Sequence, residues 1–382
     1  MSFQEFYERP VWAEINLAAI AHNVREIRRQ LRPGVQFCAV VKANAYGHGA
    51  EPVARTVLDA GADRLAVAIL DEALTLRRAG FTVPILILGY TPPHLAAQVV
   101  AHDITQTVYS LDSVRALSAA AVAAGKQVSV HLKVDTGMGR IGLCPEEILD
   151  FARQAAALPG IFVEGIFSHF ASADEEDKHF AREQFQRFQT MLAELEAAGV
   201  SIPIRHIANS AATLEMPETH LDMVRPGIIL YGLWPSDEVC HVVDLQPAMT
   251  LKAQISHVKT VPAGTSVSYG RHYSAPASRT IATLPIGYAD GFSRLLSGKT
   301  AAAVHGRTVP QVGRICMDQC MLDVSDVPDV TVGDTALLFG APPLSTDWVA
   351  AQLGTINYEL VCMVGRRVPR IYPTVSPEIM RE

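Results

Sequence analysis

Residues 36–49 read Gln36-Phe37-Cys38-Ala39-Val40-Val41-Lys42-Ala43-Asn44-Ala45-Tyr46-Gly47-His48-Gly49, an apolar run that stops at a lysine and gives way to an Asn/Gly turn. Such a run, bounded by a turn signal, reads as a strand buried on both faces, and an amphipathic, helix-length segment at 51–59 follows it. Working outward, the same strand-then-helix unit recurs. Strand candidates are 36–41, 65–69, 84–88, 104–108, 128–134, 162–168, 204–208 and 223–230. Helix candidates lie between them at 51–59, 71–78, 93–101, 111–124, 145–157, 177–198 and 210–215, with 17–31 ahead of the first strand. Eight strands with helices between them argue a (β/α)8 barrel better than an open doubly wound sheet. Lys42 then stands at the C-terminal end of a barrel strand, the face that carries chemistry in this architecture.

From about Pro247 the pattern changes. Segments 249–261, 278–285, 300–304 and 336–339 are short and β-branched, separated by Pro262-Ala263-Gly264, Ser297-Gly298 and Val332-Gly333-Asp334. Only 348–353 reads as a helix in this part. The fold class expected is therefore α/β, a TIM-type barrel over 12–246 followed by a mainly β domain over 247–382, with residues 1–11 packing with the second domain. Local punctuation agrees: Leu111-Asp112-Ser113 offers capping residue types at a helix start, Gly125 closes that helix, and Gly199 ends the long one at 177–198.

The formal net charge of −7 favours solubility and offers no basic footprint for nucleic acid. No stretch approaches the roughly 18 consecutive apolar residues of a membrane helix. The start, MSFQEFYERPVW, lacks a basic and then apolar leader, so a cytoplasmic enzyme with no membrane partner is expected. Six cysteines, Cys38, Cys144, Cys240, Cys316, Cys320 and Cys362, are too sparse for a disulfide framework and lack paired zinc spacing; they read as buried, reduced thiols.

Lysine is scarce in this chain, and an ammonium in a walled pocket has a depressed pKa that frees its lone pair for attack on a carbonyl. Taken alone, a strand-end lysine is more often a surface charge. The wider pattern is specific: VVKANAYGHG resembles the pyridoxal-phosphate attachment signature of bacterial alanine racemases. LKVDTGMGRIG, GIFSHFASAD, ANSAA, VRPGIILYG, VSYGR, LPIGYADG, VGRICMDQ and INYEL continue the resemblance in order, over residues 11–373.

The resemblance implies the fold of the type III enzymes, a barrel followed by a β domain, the cofactor pyridoxal 5′-phosphate, and interconversion of L-alanine and D-alanine by two bases. Lys42 would carry the cofactor and serve the D face, and Tyr269, in Val267-Ser268-Tyr269-Gly270, would serve the L face. A tyrosine ordinarily titrates near 10, so it needs cationic neighbours to act as a base; His169 and Arg225 match the residues that supply them. Arg225 would also face the ring nitrogen of the cofactor, donating to it without protonating it, which disfavours transamination and argues against the related decarboxylases. Tyr46, Ser210, Gly227, Ile228 and Tyr358 match phosphate contacts, with Asn209 among the cofactor-binding residues. Ser210 reads also as the N-cap of a short helix. Arg140 matches an arginine near the substrate carboxylate and the phenolic oxygen of the cofactor.

Lys133 shares a strand face with His131 and Asp135 by period two, so its ammonium points into the barrel and needs a partner. An ion pair with Asp135 is one answer. In many family members the matching lysine is instead carbamylated and holds the arginine that matches Arg140. Of Cys316, Met317 and Asp318, Met317 would offer its amide to the substrate carboxylate and Asp318 would support the site, while Tyr288 and Tyr358 would line the entrance. Because Tyr269 and Met317 lie in the second domain and in the family reach the partner's barrel, a homodimer with composite sites is implied, supplying D-alanine for cell-wall peptidoglycan.

Two other readings stay open at this stage: a broader amino-acid or serine racemase, and a non-catalytic cofactor-binding barrel, although proteins of the latter kind resemble only the barrel. A metal-dependent hydrolase would need a convergent His/Asp set that the sequence does not assemble, and no metal is expected.

Overall fold

A strand covered on both faces favours apolar residues, and the barrel strands are covered in this way: Ile85–Ile87 and Thr105–Val108 are buried at every residue. The computed structural model describes residues 9–373. Its contacts divide the chain into two units. One unit comprises 19–45 and 50–246; the other takes the chain up to Ala18, then Tyr46–Gly49, then the chain from Pro247 onward.

In the first unit eight parallel strands form one sheet in the order Ile204–His206, Ile161–Phe167, Val128–Lys133, Thr105–Val108, Ile85–Ile87, Arg64–Val67, Gln36–Val40, Met223–Val224. The ladder nearly closes. Between its first and last strands Asp222 N–H donates to Arg205 O (3.1 Å) and Arg225 N–H to Ala208 O (3.1 Å). This is the (β/α)8 architecture that the sequence implied, with helices such as Ala50–Asp59, Leu70–Arg78 and His179–Ala197 between the strands. Because every strand runs parallel, all strand C-termini lie on one face.

The final strand is far shorter than the expected 223–230. Pro226 has no N–H to give a ladder, and the apolar run Ile228–Tyr231 is a fully buried 3-10 turn instead. Periodicity alone could not separate those two outcomes. Two caps also differ by one residue. Ser110, rather than 111–113, caps Leu111–Ala124, and Asn209, rather than Ser210, caps Ser210–Glu215 by accepting from Ala212 N–H (3.0 Å).

The second unit is built on a nine-stranded sheet in the order His257–Val261, Arg279–Leu284, Cys320–Asp323, Arg307–Val312, Ala301–Val304, Thr335–Phe339, Met249–Gln254, Val11–Ile15, Arg370–Ile371. It is mainly β, as expected, although Thr346–Leu353 is joined by a second helix, Asn357–Met363, that the sequence reading missed. The expected single segment 249–261 breaks into two strands where Ile255 N–H turns to Asp334 O and Ser256 N–H to Thr283 O. Val11–Ile15 pairs antiparallel with Met249–Gln254 from Val11↔Ala253 to Ile15↔Met249, so this unit claims the segment through Ala18 that a boundary at residue 12 gave to the barrel. Residues 1–8 of the expected N-terminal packing and residues 374–382 of the expected second domain lie outside the described residues.

Cysteine burial departs from the sequence reading. Cys38 and Cys320 are buried, Cys316 is half-buried, and Cys144, Cys240 and Cys362 are exposed. No helix among the described residues is long and apolar enough to cross a membrane.

Candidate active site

Most of the candidate residues of the barrel unit follow directly on strand ends. Lys42 comes just after Gln36–Val40, Lys133 closes Val128–Lys133, His169 follows Ile161–Phe167, Asn209 and Ser210 follow Ile204–His206, and Arg225 follows Met223–Val224. Parallel strands therefore deliver residues distant in sequence to one face. After the half-buried Lys42 the chain winds left-handed through Ala43, Asn44, Ala45 and Tyr46, with φ of 52°, 55°, 54° and 51°. Non-glycine residues avoid that region, and clusters of such conformations occur at functional sites.

Arg225 is 4% exposed and makes no ion pair among the described residues. Its Nη2 donates to Ser168 O (2.9 Å), Ile207 O (3.2 Å) and His169 Nδ1 (3.1 Å), and its Nη1 donates to His206 Nδ1 (2.8 Å). These donors fix the tautomers down the barrel interior. His206 must carry its hydrogen on Nε2 and give it to His131 Nδ1 (2.8 Å), and His131 gives its own Nε2 hydrogen to Glu164 Oε2 (3.0 Å). Glu164 ends the chain, held by both terminal nitrogens of Arg64 at 3.0 Å. Burial opposes its charge, but the His131 and Arg64 hydrogen bonds hold it down at about 2. Burial, together with Arg225, pushes His206 well below an ordinary histidine, so the chain runs through neutral rings.

Positive charge gathers at this face. His169 is pushed well down by burial and then by Arg225, Arg140, Lys133 and Lys42 in turn. Lys133, 2% exposed, falls to about 8 through burial and Arg225, and Arg225 itself falls to about 10 through burial. Lys133 Nζ donates to Val134 O (2.6 Å) and makes no ion pair among the described residues. The alternative of an ion pair with Asp135 is not formed: that carboxylate turns instead to the amides of Gly137 (2.9 Å) and Gly139 (3.1 Å). Arg140, on the following loop, is exposed. Buried cations without carboxylates are costly, so the cluster suits an anionic ligand.

Ser210 and Gly227 come together: Gly227 N–H donates to Ser210 Oγ (2.9 Å), leaving the hydroxyl hydrogen for another acceptor. Ile228 is buried beside them at the start of its 3-10 turn. Gln184, fully buried on His179–Ala197, fixes the backbone around His169 by donating to its carbonyl (3.1 Å) and accepting from Ala171 N–H (2.9 Å).

In the second unit Tyr269 is 69% exposed on a turn held by Ser268, whose Oγ donates to Arg314 O (2.6 Å). Met317, 53% exposed, Tyr288 and Asp318 are exposed as well, and Cys316 is half-buried. The Cys316 and Met317 carbonyls accept from Tyr288 and Ala289 N–H, and Asp318 accepts from Arg367 (2.7 Å). Tyr46 is buried, which pushes its phenol up, and its ring lies 6.2 Å from that of Tyr358. His206, Glu164, Arg64, Gln184 and Glu72 were not singled out from sequence. The available signal was a polar side chain inside an otherwise apolar strand, as Glu164 is in Ile161–Phe167.

Two family models match the chain: alanine racemase, N-terminal domain, over residues 15–235, and alanine racemase, C-terminal domain, over 248–372. A Desulfovibrio desulfuricans alanine racemase is 57% identical over 96% of this chain and 99% of its own. One from Methanococcus maripaludis is 52% identical over 95% and 98%. Among solved structures, alanine racemase from Clostridium difficile 630 superposes with a TM-score of 0.93 at 44% identity, covering 96% of each chain. The Bacillus anthracis enzyme with bound L-Ala-P gives 0.91 at 40%, again covering 96% of each.

Proposed function

Because the chain belongs to the alanine racemase family, we propose that it is an isomerase that interconverts L-alanine and D-alanine with two bases, Lys42 and Tyr269. The observation that carries this reading is the cation cluster at the strand ends, where Lys42, Lys133, Arg140 and Arg225 all bear on His169 and the last three have no ion-pair partner among the described residues. The family implies pyridoxal 5′-phosphate, and the cluster fits it: a dianionic phosphate and a phenolate are what such a donor set lacks. Held by Lys42, the cofactor would supply an electron sink that acidifies the α-carbon of an amino acid.

Every other part of the task falls to side chains. Ser210 Oγ and the Gly227 and Ile228 backbone, with Asn209, Tyr46 and Tyr358, would hold the phosphate. Arg225 would donate to the ring nitrogen, and at about 10 it keeps its proton at neutral pH. Arg140 and the Met317 amide would hold the substrate carboxylate, Asp318 and Cys316 would support them, and Tyr288 would narrow the entrance to a methyl side chain. Lys42 Nζ would take the α-proton of D-alanine, and Tyr269 Oη would take that of L-alanine from the opposite face. The partner subunit's Tyr269 would complete each site, making the working form a homodimer. D-alanine formed in the cytoplasm would then supply peptidoglycan.

Lys133 would be carbamylated. At about 8, roughly a quarter of its amines are neutral at pH 7.5, against about one in a thousand for an ordinary lysine. The neutral Nζ adds to carbon dioxide, forming an N–C bond and releasing one proton to solvent, and the carbamate anion then answers Arg140 and Arg225.

Proton exchange into alanine in D2O, read by NMR with optical rotation and with L-serine as competitor, tests the reaction. Tyr269→Phe should keep the cofactor and lose exchange from L-alanine. Mixing it with Lys42→Ala should restore about a quarter of the activity, since half the dimers then hold one intact composite site. No recovery on mixing would put both bases in one subunit, and parent-level exchange by Tyr269→Phe would end the two-base assignment.

A further inference from the structure

We propose that Glu72 is a positioning residue for Lys42, its carboxylate holding the left-handed turn that aims the lysine; the inference rests on Lys42 being the cofactor-bearing base. Four successive non-glycine residues at φ between 51° and 55° are held against an intrinsic preference of about 1–2 kcal/mol each. The chain uses glycine immediately afterwards, at Gly47 and Gly49, yet not here. Something outside the turn must hold it.

Glu72 sits in the first turn of Leu70–Arg78 and reaches back to the ends of two neighbouring strands. Its Oε1 accepts from Ala43 N–H at 2.6 Å and its Oε2 from Ala68 N–H at 2.8 Å. Gln36–Val40 and Arg64–Val67 are in register as Ala39↔Leu65, so one carboxylate ties both strand ends together just past the ladder. Ala45 N–H donates to Val41 O (2.9 Å), and Asn44 Oδ1 accepts from Ala50 N–H (2.9 Å), closing the far side of the turn. Lys42 thus lies between a residue fixed by the strand and a residue fixed by Glu72. Rotation of the 42–43 peptide, the motion that would swing the lysine, requires the Ala43 bond to break.

The chemistry is specific to a carboxylate. Two amide donors meet two anionic acceptors, whereas a glutamine offers one acceptor and sets its own N–H2 against the second donor. Neighbouring Asp71 is an exposed acid in the same helical turn and serves as the control for charge alone.

The test compares Glu72→Gln, the shorter Glu72→Asp and Asp71→Asn, without and with cofactor. In cofactor-free protein, exchange of the Ala43 amide should rise roughly 10- to 100-fold in Glu72→Gln, the loss of one charge-assisted hydrogen bond, and stay at the parent rate in Asp71→Asn. With cofactor, kcat should fall by a similar factor at little change in KM, and the pH dependence of the visible band of the lysine-bound cofactor should shift. Adding Ala43→Gly to Glu72→Gln should recover part of kcat, because glycine enters the left-handed region freely. Parent-rate Ala43 exchange in Glu72→Gln overturns the clamp. Faster exchange with unchanged kcat and band reduces Glu72 to a structural role and overturns the positioning. A parent protein that fails to racemise alanine overturns the underlying reaction, and the wild-type assay alone reveals that case.

Discussion

Replacing Lys133 by methionine tests the electrostatics of the barrel mouth without touching its shape. Burial and Arg225 bring the lysine from 10.5 to about 8, which at 1.36 kcal/mol per pKa unit is about 3 kcal/mol. The unfolded chain holds that proton more tightly than the fold does, so the destabilisation is complete below pH 8 and fades as pH rises toward 10.5. Methionine removes it and forfeits the bond to Val134 O, about 1 kcal/mol, for a net gain of about 2 kcal/mol at pH 7. By pH 10 the two proteins should unfold at nearly the same urea concentration. The assay is urea unfolding of cofactor-free protein in buffers purged of carbon dioxide, at pH 7 and pH 10, followed by a repeat in bicarbonate. Bicarbonate should stabilise the parent alone, because a carbamate would answer the arginines. Equal midpoints at pH 7 without carbon dioxide would refute the burial argument, and a gap that is the same at both pH values would refute its titration.

Glu164→Gln should cost about 3 kcal/mol near neutrality, since the carboxylate held at about 2 contributes stability that is present above pH 4.5 and lost as pH falls toward 2; urea midpoints at pH 7 and at the lowest pH where the parent stays folded would show the gap closing. In Gly165→Ala a new Cβ would lie 2.5 Å from the buried ring of His131, a destabilisation of about 1–3 kcal/mol that drives the ring off Glu164. Nitrogen-15 NMR of the histidine tautomers reads that break directly. His131, His169 and His206 are each pushed down by burial, so the unfolded chain binds their protons first. Stability of the cofactor-free protein should fall below about pH 6.5, by up to about 1.4 kcal/mol per pH unit for each ring, and thermal midpoints between pH 8 and pH 5 would measure the slope.

The barrel was legible in the sequence because its strands are buried on both faces and punctuated by turns, so they stand out as apolar runs. The end of the last strand was not, since Ile228–Tyr231 is as apolar as a strand and only Pro226 hints at the break. Asn357–Met363 was missed because seven residues are too few to display a helical period. Of the candidate site, Lys42, His169, Ser210 and Arg225 stand where motif and strand end coincide, so the sequence could single them out. His206 and Glu164 were not singled out, because what marks them is a hydrogen bond to a side chain on another strand. The alternative pairing of Lys133 with Asp135 gave way for a local reason: the Gly137 and Gly139 amides of the same loop take the carboxylate.

The strand order of the second unit sets a schedule for synthesis. Val11–Ile15 leaves the ribosome well ahead of its antiparallel partner, Met249–Gln254, which comes more than two hundred residues later, and Arg370–Ile371 on its other edge comes last of the three. At about 5–20 residues per second, the first strand waits roughly 10 to 50 s with both edges unpaired while the whole barrel is made. The nascent chain therefore carries an unpaired apolar strand while the intervening barrel is made, the state in which a strand edge is open to pairing with other chains.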